Sequence, residues 1–112
     1  MNYEYNGNTV ESDEDGYLVN TADWSEELAA VIATEEGISL NEKHWDVLQY
    51  LRTEYFTNDG IQPMERAIKK AMETQWQIKL SNKEMYELFP SAPSKQGAKI
   101  AGLPPTSRKG GY

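Results

Sequence analysis

The only histidine of this 112-residue chain is the first candidate for catalysis. His44 has Ser39 and Asp46 as conceivable neighbours for a Ser-His-Asp relay, in which the imidazole takes the proton of the attacking hydroxyl. Nothing in their spacing supports that arrangement. A single histidine in the first turn of a helix is more often a capping or packing residue, and we predict that role for His44.

Carboxylates are the second candidate. The pairs at residues 26–27 and 35–36 are adjacent in sequence, so on a helix their members point in different directions and do not form a general acid–base dyad. The acidic stretch "SDEDGYLV" lacks the ligand spacing of a calcium loop. We therefore predict solvated carboxylates, with no metal site and no cofactor.

Aromatic and basic side chains could bind a nucleic acid. The rings that could stack on a base recur at helical spacing, which favours a core: Trp24, Trp45, Trp76, Tyr50, Tyr55 and Phe89. If the chain is interpreted as a winged-helix protein that binds DNA, the segment "PMERAIKKAM" would be its recognition helix. The net charge of −7 would repel a duplex, so DNA-binding regulation stays a minority alternative.

The charge distribution and the composition limit which other classes of protein this chain can belong to. Residues 1–60 carry two basic and fourteen acidic side chains, a net −12, whereas residues 61–112 carry nine and four, a net +5. The chain has no cysteine, which excludes disulfides, thiolate metal sites and thiol chemistry. No apolar run is long enough to span a membrane, and the first residues do not resemble a signal peptide. These features predict a cytoplasmic protein of one domain with no membrane contact.

The elements that must position these residues follow from local patterns. Asn6-Gly7 between two short alternating runs predicts a hairpin with a type I′ turn. A helical period starts near Trp24 and stops at Gly37, and a second helix is capped by Asn41 and runs to about Asn58. The remaining signals are Pro63 as the first residue of a third helix, a capping box at residues 81–84 for a fourth, and Pro93 for a fifth that ends near Gly102.

These elements predict a mainly α fold with a small β part. An N-terminal β-hairpin is followed by about five helices in an orthogonal, winged-helix-like bundle. We place the domain at residues 1–103 and a flexible C-terminal arm at residues 104–112.

Four stretches lie far apart in the sequence: "DGYLV", "DWSEELA", "EGISLNEKHWDVLQYLRTEY" and "LFPSAPSKQGAKIAGLP". Together they resemble the DsrC/TusE family of sulfur-relay proteins, which includes the gamma subunit of dissimilatory sulfite reductase. The resemblance implies a helical fold with an N-terminal hairpin and a mobile C-terminal arm that carries a persulfide on a cysteine. It also implies protein partners, either sulfite reductase or the tRNA-thiolation machinery.

The departure from the family lies where the sulfur should be. The resemblance implies cysteines at position 98 and at position 109 or 111, but this sequence has Ala98, Lys109 and Gly111. No other side chain replaces a thiolate as a persulfide carrier. The chain therefore lacks the group that would make it a sulfurtransferase, and whether it is an enzyme stays open.

The leading hypothesis is a member without cysteine that binds the partners of sulfur-carrying relatives as a non-catalytic or regulatory protein. We predict that the arm and its base bind the partner through the following residues: Arg66, Lys69, Lys70, Lys95, Gln96, Lys99, Ile100, Gly102, Arg108 and Lys109. One alternative is a sulfur carrier whose natural gene encodes a cysteine that this sequence lacks. DNA-binding regulation is the other.

Overall fold

The chain opens with a two-stranded antiparallel hairpin. The computed structural model describes residues 2–105. Strand β1 (Asn2–Tyr5) pairs with strand β2 (Asn8–Glu11), and Tyr3 lies opposite Val10. Asn6 and Gly7 have φ of 49° and 75°, and a type I′ turn needs positive φ at both positions. The predicted hairpin is confirmed.

Helices make up most of the remaining described residues. A 3-10 helix at Thr21–Asp23 precedes α1 (Glu26–Glu35), α2 (Glu42–Thr57), α3 (Glu65–Trp76), α4 (Asn82–Leu88) and α5 (Pro93–Ile100). The predicted fold class, mainly α with an N-terminal hairpin, is confirmed. None of these helices combines the length and the apolar composition that a membrane crossing requires.

Local capping explains where several helices begin. Asn41 accepts from the backbone N–H groups of Lys43 and His44, and the His44 ring accepts in return from the Asn41 N–H. Ser81 and Glu84 form the same reciprocal arrangement at the start of α4. Each cap satisfies N–H groups that have no partner within the helix, so the polar residue fixes the first turn.

Helix α3 begins later than predicted. We placed Pro63 at its first position, but Met64 has an extended backbone (φ −100°, ψ 179°) and the helix starts at Glu65. The cause is tertiary. Gln62 donates to the Pro104 carbonyl, and Glu65 accepts from the Ser94 N–H. These contacts, one with Pro104 beyond the end of α5 and one with Ser94 in its first turn, hold the segment in an extended form.

Helix α5 lies at the centre of the domain and packs against α1, α2, α3 and α4. Gly97 allows α5 to approach α2 closely, because a Cβ on residue 97 would lie 2.8 Å from Leu51 Cδ1. The largest fully buried hydrophobic side chains around it are Phe89, Leu28, Ile32, Leu48, Leu51, Ile68, Met72, Ile100 and Leu103. The core therefore surrounds the last helix of the described residues.

Candidate functional site

The C-terminal end of α5 is closed by a hydrogen-bonded turn. Gly102 has φ of 73°, the left-handed conformation that glycine adopts most easily. The Gly102 N–H donates to the Lys99 carbonyl, and the Leu103 N–H donates to the Ala98 carbonyl. This pair of bonds is a Schellman motif, and it turns the chain sharply out of the helix. We call residues 95–105 the arm base.

Three side chains from distant segments hold the carbonyl groups of the arm base. Trp24 Nε1 donates to the Ile100 carbonyl at 2.8 Å, Arg52 Nη1 donates to the Ala101 carbonyl at 2.7 Å, and Gln62 Nε2 donates to the Pro104 carbonyl at 3.0 Å. We call these three residues the carbonyl clamp. It fixes the chain between Ile100 and Pro104.

Trp24 and Arg52 also stack on each other. The guanidinium carbon of Arg52 lies 4.1 Å from the centre of a Trp24 ring, a cation–π geometry. Desolvation by burial lowers the pKa of Arg52. Trp24 in turn packs so closely on the turn that a Cβ on Gly102 would lie 2.3 Å from Trp24 Cδ1. Glycine is therefore required at position 102 by both its φ and its neighbour.

A cleft of about 320 Å³ lies on the outer side of the arm base. Glu36 joins two residues of α5 there: Gln96 Nε2 donates to one of its oxygens at 3.0 Å, and Lys99 Nζ lies 3.2 Å from the other. The Tyr17 hydroxyl donates to the Lys95 carbonyl at 3.2 Å. Burial and, to a smaller extent, the negative charges of nearby acidic residues raise the pKa of Tyr17. The cleft thus combines paired internal charges with the exposed Lys95 side chain.

The structure places the predicted partner-binding residues in different environments. Ile100 and Gly102 are buried, and Gln96 is 4 % exposed, so these three contact the chain's own interior. Lys95, Arg66 and Lys70 are exposed, whereas Lys99 is partly covered by its pairing with Glu36. Lys69 on α3 donates to Asn82 on α4. Arg108 and Lys109 lie outside the described residues.

The positions that the resemblance assigns to cysteine can be examined in one case. Ala98 is 0 % exposed and lies on the inner side of α5. Positions 109 and 111 lie outside the described residues. Among residues 2–105, no three histidine or acidic side chains come together as a metal site.

The side chain of His44 makes capping and packing contacts within the fold. Its Nδ1 accepts from the Asn41 N–H at 3.1 Å, and its Nε2 lies 2.8 Å from the Leu88 carbonyl. A neutral ring with its proton on Nε2 satisfies both contacts. The ring also packs edge-on against Phe89. The expected capping and packing role is therefore what the geometry shows.

Sequence reasoning did not identify the carbonyl clamp. Trp24 and Arg52 lie within the motifs quoted above, but helical spacing assigns Trp24 to the core. No pattern in the sequence indicates a role for Gln62. Their acceptors are 76, 49 and 42 residues further along the chain. A half-buried Arg next to a carbonyl leaves no periodic pattern, so no local feature could have indicated it.

Comparisons with known proteins agree across nearly the whole chain. The family model described as "DsrC like protein" matches residues 4–108. Proteins named sulfurtransferase TusE are 42% identical: that of Yersinia pseudotuberculosis over 102 residues, covering 90% of this chain and 94% of the relative, and that of Escherichia coli K12 over 101 residues, covering 89% and 92%.

Solved structures agree as well. The oxidized gamma-subunit of the dissimilatory sulfite reductase (DsrC) from Archaeoglobus fulgidus superimposes with a TM-score of 0.88 at 32% identity, and DsrC from Allochromatium vinosum with 0.85 at 35%. Each comparison covers 97% of this chain and 99% of the solved one.

Proposed function

The chain belongs to the DsrC-like protein family, and on that premise we propose that it binds protein partners of a sulfur relay without carrying sulfur itself. The observation that carries the proposal is the carbonyl clamp. Three separate segments supply Trp24, Arg52 and Gln62 to hold the arm base, while the implied cysteine positions are occupied by Ala98, Lys109 and Gly111. The chain has a hydrogen-bonded support for the arm base and lacks the thiol.

Covalent sulfur transfer requires a thiolate that attacks the outer sulfur of a donor persulfide and releases the donor thiolate. None of the 112 residues is a cysteine, so this chain cannot form the new S–S bond. Its relatives named as sulfurtransferases and as a sulfite reductase subunit point to the partner class: proteins that receive or deliver sulfur. Binding such a partner would make the chain a competitor, regulator or scaffold.

Two side chains of α5 differ as candidates for the proposed docking surface. Lys99 is paired with Glu36, so reversing its charge would also disturb the fold. Lys95 is exposed on the same helix, which makes it the better residue to test together with Lys109. Rim charges of this kind act mainly on the association rate and are screened by salt.

The test measures the affinity of the full chain for a purified sulfite reductase and for a purified tRNA-thiolation complex. The double variant Lys95→Glu, Lys109→Glu is compared with Lys79→Glu, Lys83→Glu, a matched pair with the same change of charge on residues that are exposed and have no proposed role. We expect the first pair to slow association severalfold and the control pair to have a smaller effect. Equal effects, or no binding of either complex by the full chain, would contradict the proposal.

A truncation separates the arm from the body. It should end at Pro105, because Leu103 is 0 % exposed and the Pro104 carbonyl is bonded to Gln62. A shorter chain would lose part of the fold together with the arm. We expect the chain of residues 1–105 to keep its helical content and to lose most of its affinity for the partner.

The second candidate, a sulfur carrier, has its own test. The variant Lys109→Cys is incubated with a persulfide donor, and its intact mass is compared with that of the original chain. A mass gain of one sulfur atom in the variant, passed on to a partner, would show that only the thiol is missing, and a natural gene with cysteine at 109 or 111 would favour this candidate. The relatives reported above lend no support to DNA binding.

A further inference from the structure

The outer side of α2 carries a second groove, which includes Trp24 and Arg52 of the carbonyl clamp. Trp45, Gln49, Arg52 and Thr53 lie three or four residues apart, so they share one side of the helix. Trp24 and Glu26, next to the start of α1, line the groove as well, and its volume is about 290 Å³. We call it the α2 groove.

The α2 groove is lined by both aromatic and polar side chains. Trp24, Trp45 and Leu48 line it beside Glu26, Gln49, Arg52 and Thr53. Phe56 continues the same side of α2 and is 56% exposed, with the Arg52 guanidinium carbon 5.0 Å from its ring. Trp45 to Phe56 spans eleven residues, or about 16 Å at the rise of an α-helix. That length matches about three turns of a second helix lying alongside.

The charges around the α2 groove are mostly negative. Asp23, Glu26 and Glu42 are exposed next to its aromatic residues. The cation within it, Arg52, already donates to the Ala101 carbonyl and stacks on Trp24. Lys43 lies over Trp76 instead, which belongs to a different cavity. A partner that covers the aromatic residues would therefore bring Lys or Arg side chains to the rim.

We infer that the α2 groove binds a basic amphipathic helix of a protein partner. Its apolar residues would pack on Trp24, Trp45 and Phe56, and its flanking cations would face the acidic rim. This is the helix-in-groove mode of recognition, with the charge complementarity that gives specificity. The inference does not depend on sulfur or on the arm.

The three tryptophans provide the readout. The full chain labelled with ¹⁵N is titrated with a short synthetic Leu/Lys amphipathic peptide and, separately, with a Leu/Glu peptide of the same apolar pattern. We expect the indole N–H signals of Trp24 and Trp45 to shift with the basic peptide while that of Trp76 stays in place. Equal shifts of all three signals, no shift at all, or equal binding of the acidic peptide would overturn the inference.

Variants locate the binding. Phe56→Ser and Glu26→Lys should each weaken binding of the basic peptide, Phe56→Ser by roughly tenfold. Tyr86→Ser is the matched control, since Tyr86 is an aromatic on α4 that is 42% exposed. Because the 1–105 truncation should leave peptide binding unchanged, a failure here is separate from a failure of the arm to dock. Equal weakening by Tyr86→Ser and Phe56→Ser would refute the assignment.

Discussion

Replacing Gly102 by alanine tests whether the arm base is held as described. Two costs arise from one methyl group. Gly102 has φ of 73°, where an alanine is strained by about 1–2 kcal/mol. The new Cβ would also lie 2.3 Å from Trp24 Cδ1 and 2.7 Å from Trp24 Cβ, so the indole must move.

Moving Trp24 would disturb two further contacts. Its hydrogen bond to the Ile100 carbonyl is worth about 1 kcal/mol, and its stacking with Arg52 about 0.5–1 kcal/mol. Together with the strain at position 102, we expect Gly102→Ala to lower the free energy of unfolding by about 2.5–4 kcal/mol. That is a large share of the 5–15 kcal/mol typical of a domain.

The assay is denaturant unfolding followed by circular dichroism, with Gly37→Ala as the control. Gly37 has nearly the same φ, 77°, but a Cβ there meets nothing within 4 Å. The control should therefore lose only the strain of about 1–2 kcal/mol. If Gly102→Ala cost no more than Gly37→Ala, the close contact with Trp24 would carry no energy and the reasoning would be refuted. In a Trp24→Ala background the difference between the two losses should shrink, because of the three close contacts only the one at 2.7 Å with the Cβ of residue 24 remains.

Four other positions give expected outcomes in the same assay. Ala92→Gly should raise the free energy of unfolding by about 1 kcal/mol, because Ala92 has φ of 91°; a decrease would contradict this. Ser94→Ala should leave it unchanged or raise it by up to about 1 kcal/mol, because Ser94 is 1% exposed and its hydroxyl has no hydrogen-bond partner among the described residues, whereas the cap variant Ser81→Ala should lower it by about 1 kcal/mol. Burial raises the pKa of Tyr3 from 10.0 to about 12. Between pH 10 and 12 only the unfolded chain releases this proton, so the contribution of Tyr3 to the free energy of unfolding is complete below pH 10 and is lost as the pH rises through that window. Tyr3→Phe should flatten the pH dependence in that window, although it also loses the hydrogen bond to the Gly16 carbonyl; an unchanged slope would refute the assignment.

Local chemistry explains why much of the fold could be predicted. The Asn6-Gly7 turn, the caps at Asn41 and Ser81, and Pro93 at the start of α5 each act within a few residues. Their effect depends little on the remaining structure. The predicted start of α3 at Pro63 was wrong for the opposite reason. Hydrogen bonds of Gln62 and Glu65 with residues far along the chain determine where this helix begins.

The site was predictable only in part, for the same physical reason. The resemblance drew attention to the arm base and to the absence of a thiol, but the residues that hold the arm base are far away in sequence. Trp24 matches the expected core role only partly, because it is half-buried and donates its N–H to the Ile100 carbonyl. Phe89, at 0% exposed, is the aromatic that fits the core interpretation best.

The carbonyl clamp is more than the stability of the helix end requires. The Schellman bonds at Gly102 and Leu103 already satisfy the carbonyls of Lys99 and Ala98, and water could satisfy the next ones. Placing the Arg52 guanidinium against the Ala101 carbonyl instead has a desolvation cost, which is visible in its lowered pKa. What that contact adds is a fixed direction for the chain beyond the turn. A fixed direction would matter for an arm that another protein receives, and the clamp is therefore an argument for the proposal that this chain binds partners without carrying sulfur.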